Sequence, residues 1–417
     1  MKKRITAAVL SAVFMLSAFS GCSSVKAENL TDKIKPNPVP VYNQIDGEQT
    51  KAVAEFSAQL LKQLSVEDKS VVYSPLSVLY ALAMTANGAD GQTLAQMEAV
   101  LGMEAEELNS YLHNVVNLLP SDVGYDFDIA NSIWVKDDAN KFVVKEEFLQ
   151  TVKDYYLAQI FTAAFDKETL KDINNWVVQA TNGQIQNILD DIDSDAVMYL
   201  INALNFEAQW ADVYEEFDVR EGTFTHSDGT EQMAEFMYSE EHAYLSDENT
   251  TGVIKYYKGG KYAFVALMPD KDTDINSYIQ SIDGEKITNL LANVQDKTVW
   301  TAIPKYENTF DIEMSDIFKT LGMTDAFDSA VADFSRMGTP QVEGENLCIN
   351  RIIHKAFIRV AEQGTQAGAS TVVEMITEGA MLVEDPKEVY LDRPFVYMVI
   401  DTQNNLPLFM GTVCEIE

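Results

Sequence analysis

The 417-residue chain is poor in the residues on which cross-linking and much catalysis depend: it has three cysteines, four histidines, and 30 lysines and arginines against 65 aspartates and glutamates. A formal net charge of −35 repels a polyanion rather than steering it in, which excludes nucleic acid as a partner. Cys22 lies at the end of an N-terminal leader, so only Cys348 and Cys414 remain for the body of the protein. A disulfide framework therefore does not carry its stability. Two separate buried thiols are expected, with a single bridge as the alternative. Beyond the leader, no apolar run reaches the roughly eighteen residues that a membrane-crossing helix needs.

Catalytic and metal-binding patterns are missing too. His113, His226, His242 and His354 stand at no ligand or triad spacing, and neither HExxH nor GxSxG occurs. "GASTV" around Ser370 lacks the second glycine of a nucleophile elbow. "DKDTDIN" from Asp270 imitates the start of a calcium loop, but Ile275 stands where the sharp turn needs glycine and Ser281 where the closing acid belongs. It and "DDIDSD" from Asp190 are expected to be solvated acidic stretches. No metal, cofactor or enzymatic activity is expected.

What is present is ordinary globular composition, 47% hydrophobic and 23% charged, enough for one large core or two modest ones. The N-terminus "MKKRITAAVLSAVFMLSAFSGCSS" has a basic start, an apolar run from Ile5 to Phe19 and small residues before Cys22. This pattern predicts an export signal over 1–21. "FSGC" is similar to a bacterial lipoprotein box, which would make Cys22 a lipid-bearing first residue on the cell surface; an ordinary secretory signal is the alternative. The polar, proline-containing stretch 22–48 predicts a poorly ordered tether.

From residue 49 onward one large α+β domain is expected. "TKAVAEFSAQLLKQL", "KEEFLQTVKDYY" and "TLKDINNWVVQATNGQIQNIL" have helical spacing. From Ala196 the pattern turns to strands, in "AVMYLINALNFEAQW", "TGVIKYYKGGKYAFVALMP", "KTVWTAIPKYENTFDIEM" and the last thirty residues. One stretch is contradictory. "AEQGTQAGASTVVEM", Ala361 to Met375, is as small and polar as a mobile loop, yet Thr365, Ala367, Ala369 and Thr371 alternate as one face of a strand would in a crowded sheet.

Several stretches together resemble the serpins: "VVYSPLSV", "TANGADGQTLAQM", "NNWVVQATNGQI", "LINALNFEAQW", "HKAFIRVAEQGTQAGAST" and "RPFVYMVIDTQNNLPLFMGTV". They run in the family's order from about Thr50 to the end, and the resemblance implies the serpin fold of three β-sheets, about nine helices and an exposed reactive-centre loop. It also resolves the contradiction. In inhibitory serpins the residues after the hinge glutamate, here Glu362, form a loop that becomes a central strand once it is cut, so Gly364, Thr365, Ala367, Ala369 and Thr371 must suit both states. By the same resemblance Ser74, Asn202 and His354 match a polar cluster beneath the opening of the central sheet, and Trp210 matches the aromatic at its top; simple core packing is the alternative for each.

The hinge and reactive loop would span 362–392. Counting about seventeen residues from Glu362 puts the scissile bond between Glu378 and Gly379, whereas counting back from "RPF" at Arg393 points near Val383. The window is Ile376 to Val383, with Ala380, Met381, Leu382 and Val383 as alternatives. Glu378 implies a glutamate-preferring protease; the later residues imply an elastase-like or chymotrypsin-like one. The implied function is irreversible inhibition of extracellular serine proteases by a monomer that forms a covalent complex, with papain-like cysteine proteases as a further class. A non-inhibitory serpin-like surface binding protein is the alternative.

Overall fold

The computed structural model describes residues 25–416 except 43–44, 66–67, 120–124, 138–141, 157, 182, 184, 195, 341–345 and 366–384. Six helices occupy the first part: α1 (Gly47–Leu64), α2 (Pro75–Ala86), α3 (Gly91–Leu101), α4 (Ala105–Leu118), α5 (Glu146–Tyr155) and α6 (Lys167–Ala180). Three shorter ones follow, α7 (Ile275–Ser281), α8 (Gly284–Ala292) and α9 (Ser315–Leu321), making nine among the described residues. Their starts are set locally. Ser74 caps α2 by accepting from the Ser77 amide, and Pro75 sits in the first turn, where its missing N–H costs nothing. Asp166 and Thr169 form a capping box at α6. Asp274, in the stretch that imitates a calcium loop, caps α7.

The described strands are β1 (Glu28–Asn29), β2 (Val71–Tyr73), β3 (Tyr125–Lys136), β4 (Phe142–Val144), β5 (Gln159–Ala163), β6 (Met198–Gln209), β7 (Val219–Thr225), β8 (Glu231–Ser246), β9 (Thr250–Tyr256), β10 (Tyr262–Pro269), β11 (Gln295–Pro304), β12 (Tyr306–Glu313), β13 (Gly338–Pro340), β14 (Arg351–Ala361), β15 (Gly364–Thr365), β16 (Lys387–Tyr390), β17 (Phe395–Asp401) and β18 (Leu406–Val413). They make three sheets, as expected. The first has the order β1-β5-β3-β6-β15-β14-β12, the second runs β16-β11-β8-β9-β10-β17-β18-β2 with β7 on β8, and the third pairs β13 with β4.

Alternation along the first sheet feeds two cores. Ile133, Val135, Met198 and Leu200 face the main core, which the second sheet and α1 to α4 share. Trp134, Tyr199 and Ile201 face a smaller cluster closed by Ile173, Trp176 and Val177 of α6. A strand joining this sheet therefore meets packed side chains on both faces, which favours small residues along it. Cys348 and Cys414 are buried free thiols.

The loose spacer expected over 22–48 is not what the structure contains between Val25 and Tyr42. There β1 extends the first sheet by pairing Glu28 with Thr162 and Asn29 with Phe161. The buried Asp172 carboxylate of α6 accepts the amides of Lys26 and Ala27 at 2.9 and 2.8 Å, while Val25 and Ala27 pack against the smaller core. Farther on, Asp154 of α5 accepts from the backbone and side chain of Asn37, and Asn114 of α4 from the Tyr42 amide. The physical reason is that the strap is held largely through its main chain, which every sequence possesses, so its polar composition does not reveal it.

Asp172→Ala removes the acceptor shared by two amides, and a hydrogen bond to a charged group contributes about 1.5–3 kcal/mol. We expect a loss of about 2 kcal/mol in stability and faster amide exchange in residues 25–29 and 159–163. Unchanged exchange there, measured by mass spectrometry, would show that the carboxylate does not hold the strap.

Candidate functional site: the opening of the seven-stranded sheet

The site lies between β6 and β14. These strands pair in parallel only at the lower end, from Tyr199 opposite Arg351 to Asn202 opposite His354. At the upper end β15 stands between them, antiparallel to both: Gly364 and Thr365 lie opposite Gln209 and Ala208 on one side and Ala361 and Val360 on the other. The heights between, 203–207 of β6 and 355–359 of β14, belong to neither ladder. The sheet is thus closed at the bottom, wedged at the top and parted in the middle over about 17 Å, at 3.3 Å per residue.

The wedge depends on a glycine. Gly364 has φ +149°, and a Cβ there would lie 2.0 Å from the Ala208 carbonyl oxygen, so no other residue fits. Thr365 is 2% exposed, with its hydroxyl hydrogen-bonded to the Tyr257 hydroxyl. Tyr257 stacks on Trp210 at 4.4 Å with 6° between the planes. Trp210 holds the turn: its indole donates to the Ala361 carbonyl and its amide to the Gln363 carbonyl, both at 2.9 Å, and the Tyr214 amide reaches Glu362 O at 3.0 Å. Lys305 bridges Glu362 at 2.7 Å and Glu235 at 2.8 Å. Burial works against the ionised Glu362 carboxyl, but Lys305, a backbone amide and the Arg359 charge together hold the group below its usual range. Beneath the aromatics, the buried Lys255 pairs with Glu241 at 2.6 Å and lies over the Tyr214 ring at 4.5 Å.

At the lower end the structure brings Ser74, Asn202 and His354 together. His354, 1% exposed, accepts the Ser74 amide on Nε2 at 3.1 Å; its proton is therefore on Nδ1, 3.0 Å from the Asn202 carbonyl oxygen. That oxygen also accepts the Ser77 hydroxyl at 2.6 Å, and the Asn202 amide donates to the Ser77 carbonyl and to Asn131. The network joins α2, β3, β6 and β14 where the sheet begins to part. Sequence reasoning missed Ser77, Asn131, Tyr257 and Lys305. Ser77 was within reach, three residues from Ser74 on the first turn of α2, but Asn131 is found only through its register opposite Asn202.

Ala367, Ala369 and Thr371, the candidate bond residues Glu378, Gly379, Ala380, Met381, Leu382 and Val383, and the lipidation candidate Cys22 lie outside the described residues. Among the described residues no group of histidine, cysteine or carboxylate side chains is arranged to hold a metal ion.

This architecture has known counterparts. Residues 51–416 match the sequence profile of the family described as Serpin (serine protease inhibitor), and the chain belongs to that family. It is 29% identical over 392 residues to a serpin-like protein of Thermococcus kodakarensis, covering 91% of this chain and 90% of that one. Among solved structures it is similar to the thermophilic serpin tengpin in its native state, with 44% identity, a TM-score of 0.88, and coverage of 94% of this chain and 100% of the other. Tengpin in its latent state superposes with a TM-score of 0.79 at 43% identity, over 90% of this chain and 100% of the other. The fold described here is thus nearer to the native arrangement.

Burial pushes the His354 imidazole down to about 4 from its usual 6.5, so it is neutral at pH 7, as its acceptor role requires. Between those two values the unfolded chain binds a proton that the folded chain refuses, so this contribution is complete above pH 6.5 and is lost as pH falls toward 4. The shift corresponds to about 3 kcal/mol. We expect the urea midpoint of the wild type to fall more steeply below pH 6.5 than that of His354→Gln, whose carboxylates titrate alike. Parallel profiles would overturn the assignment.

Proposed function

We propose that the protein is an irreversible suicide-substrate inhibitor of extracellular serine proteases. The observation that carries this reading is the register of β15. Continued antiparallel to β6 from Thr365 opposite Ala208, the chain fills the parted heights with Gln366 to Ser370 and brings Thr371 level with Asn202. Ala367, Ala369 and Thr371 share the parity of Thr365, which faces the main core, and all three are small enough to follow it.

The protease serine Oγ attacks a carbonyl between Ile376 and Val383, forms an ester, and releases the new amine on the C-terminal side. The severed segment then lengthens β15 down the sheet and draws the esterified protease with it. The distorted oxyanion hole no longer supports attack of water on the ester. To pass Thr371, the strand must separate β6 from β14 at Asn202 and His354, so the polar network there governs the resistance to opening. The inhibitor supplies no catalytic group of its own.

Incubation with glutamate-preferring, elastase-like and chymotrypsin-like serine proteases, and with a papain-like cysteine protease, tests this directly. We expect a complex that survives SDS. Ala369→Arg places a cation midway down the sheet on the core parity, and burying it unpaired costs several kcal/mol. That variant should be cut at the same bond while the protease recovers its activity. Cleavage of the wild type with full recovery of every protease would leave the non-inhibitory surface binding protein as the reading.

The leader and the "FSGC" motif support export and attachment through a lipid on Cys22. Three residues, Cys22 to Ser24, precede the strap and span at most about 10 Å, which would keep the flank formed by α6 and β5 close to the bilayer. Cys22→Ser should leave the protein unprocessed or release it from the membrane fraction. Equal retention of the variant would point to another mode of attachment.

A further inference from the structure

Trp300 of β11 is 45% exposed, although tryptophan is a side chain that gains much from burial. It lies directly opposite Glu240 of β8 on one side and Glu388 of β16 on the other. Residues paired in this way share one face, and neighbouring strands are about 4.8 Å apart, so two exposed carboxylates flank the indole. In the adjoining row, Tyr238, Ala302 and Tyr390 share the same face, and there Arg220 lies over the Tyr238 ring at 5.2 Å. The fold thus seats its own guanidinium on Tyr238 and leaves Trp300 bare. Among the described residues no cation lies over Trp300, and neither Glu240 nor Glu388 forms an ion pair.

The row is also placed where a docked protease would meet it. Glu388 follows Val383 by five residues and Glu378 by ten, so every candidate bond from Glu378 onward is within about 34 Å of it along an extended chain. A protease of about 230 residues has a radius of gyration near 17 Å, which makes one seated on the loop wide enough to overhang β11 and β16. Resting on the inhibitor reading above, we infer that Glu240, Trp300 and Glu388 form a docking row for a basic surface of the target protease. An arginine or lysine of the protease stacks on the indole while the two carboxylates pair with it, a contact that acts on encounter rather than on the trapping step.

The test measures the second-order rate of SDS-stable complex formation with a cationic chymotrypsin-fold protease, active-site titrated, and with the same protease after succinylation of its lysines. Trp300→Ala and the pair Glu240→Gln/Glu388→Gln should each slow association about five-fold or more with the unmodified protease. Succinylation or 0.5 M salt should abolish the difference between wild type and the glutamine pair. Met233→Ala, an exposed apolar residue on β8 outside the row, should associate at the wild-type rate. Equal rates for wild type, Trp300→Ala and the glutamine pair would overturn the docking row and leave the inhibitor reading intact. No complex between the wild type and any protease would overturn that reading and this inference with it.

Discussion

The parallel pairing of β6 with β14 stops at Asn202 and His354, and the arrangement of the whole seven-stranded sheet turns on where it stops. Below that level the two strands are held by backbone ladders and by side chains from α2 and β3. Above it they diverge until β15 fits between them. A sheet buried on both faces gains from every strand added to it, so on the proposed inhibitor mechanism this one would be left short of its most stable arrangement. What holds it there is polar: a neutral imidazole, two amides and two hydroxyls that satisfy one another.

The two ends of the parted region are built from different materials. The lower end is a compact hydrogen-bond network with no ionised member. The upper end combines aromatic stacking of Trp210 on Tyr257, a buried Lys255–Glu241 pair and the half-exposed bridge from Lys305 to Glu362. A buried network is costly to break by halves, because each stranded partner then carries its own desolvation cost. The half-exposed bridge at the top yields at smaller cost, since water can solvate what it releases. The asymmetry favours movement from the top downward.

Much of this was legible in the sequence, for identifiable reasons. Gly364 and Thr365, at the head of a segment whose composition says loop, do form a strand, and "YSPLS", "LINAL" and "IIHKAFIRV" carry their polar residues inside apolar runs, where an unsatisfied group is costly. Two features were not legible. Asn131 acquires its place only from the register between β3 and β6, which no local pattern fixes. The strap from Val25 to Tyr42 is bound through backbone amides to Asp172 and Asp154, carboxylates more than a hundred residues away.

β15 contains only two residues, yet on the proposed inhibitor mechanism its presence would divide strand insertion into two kinetic problems. A segment seeking a place in a sheet ordinarily has to close a loop and select one register among several that differ in which side chains face the core. Here the reversal at Glu362 and Gln363 is already made, and Thr365 opposite Ala208 has fixed both register and parity. On that mechanism the nucleus would exist before any cut and only propagation would remain, and zippering of paired strands proceeds on the order of microseconds. The speed with which the sheet accepted a strand would then be a property of how readily Asn202 and His354 come apart, and would owe nothing to a search.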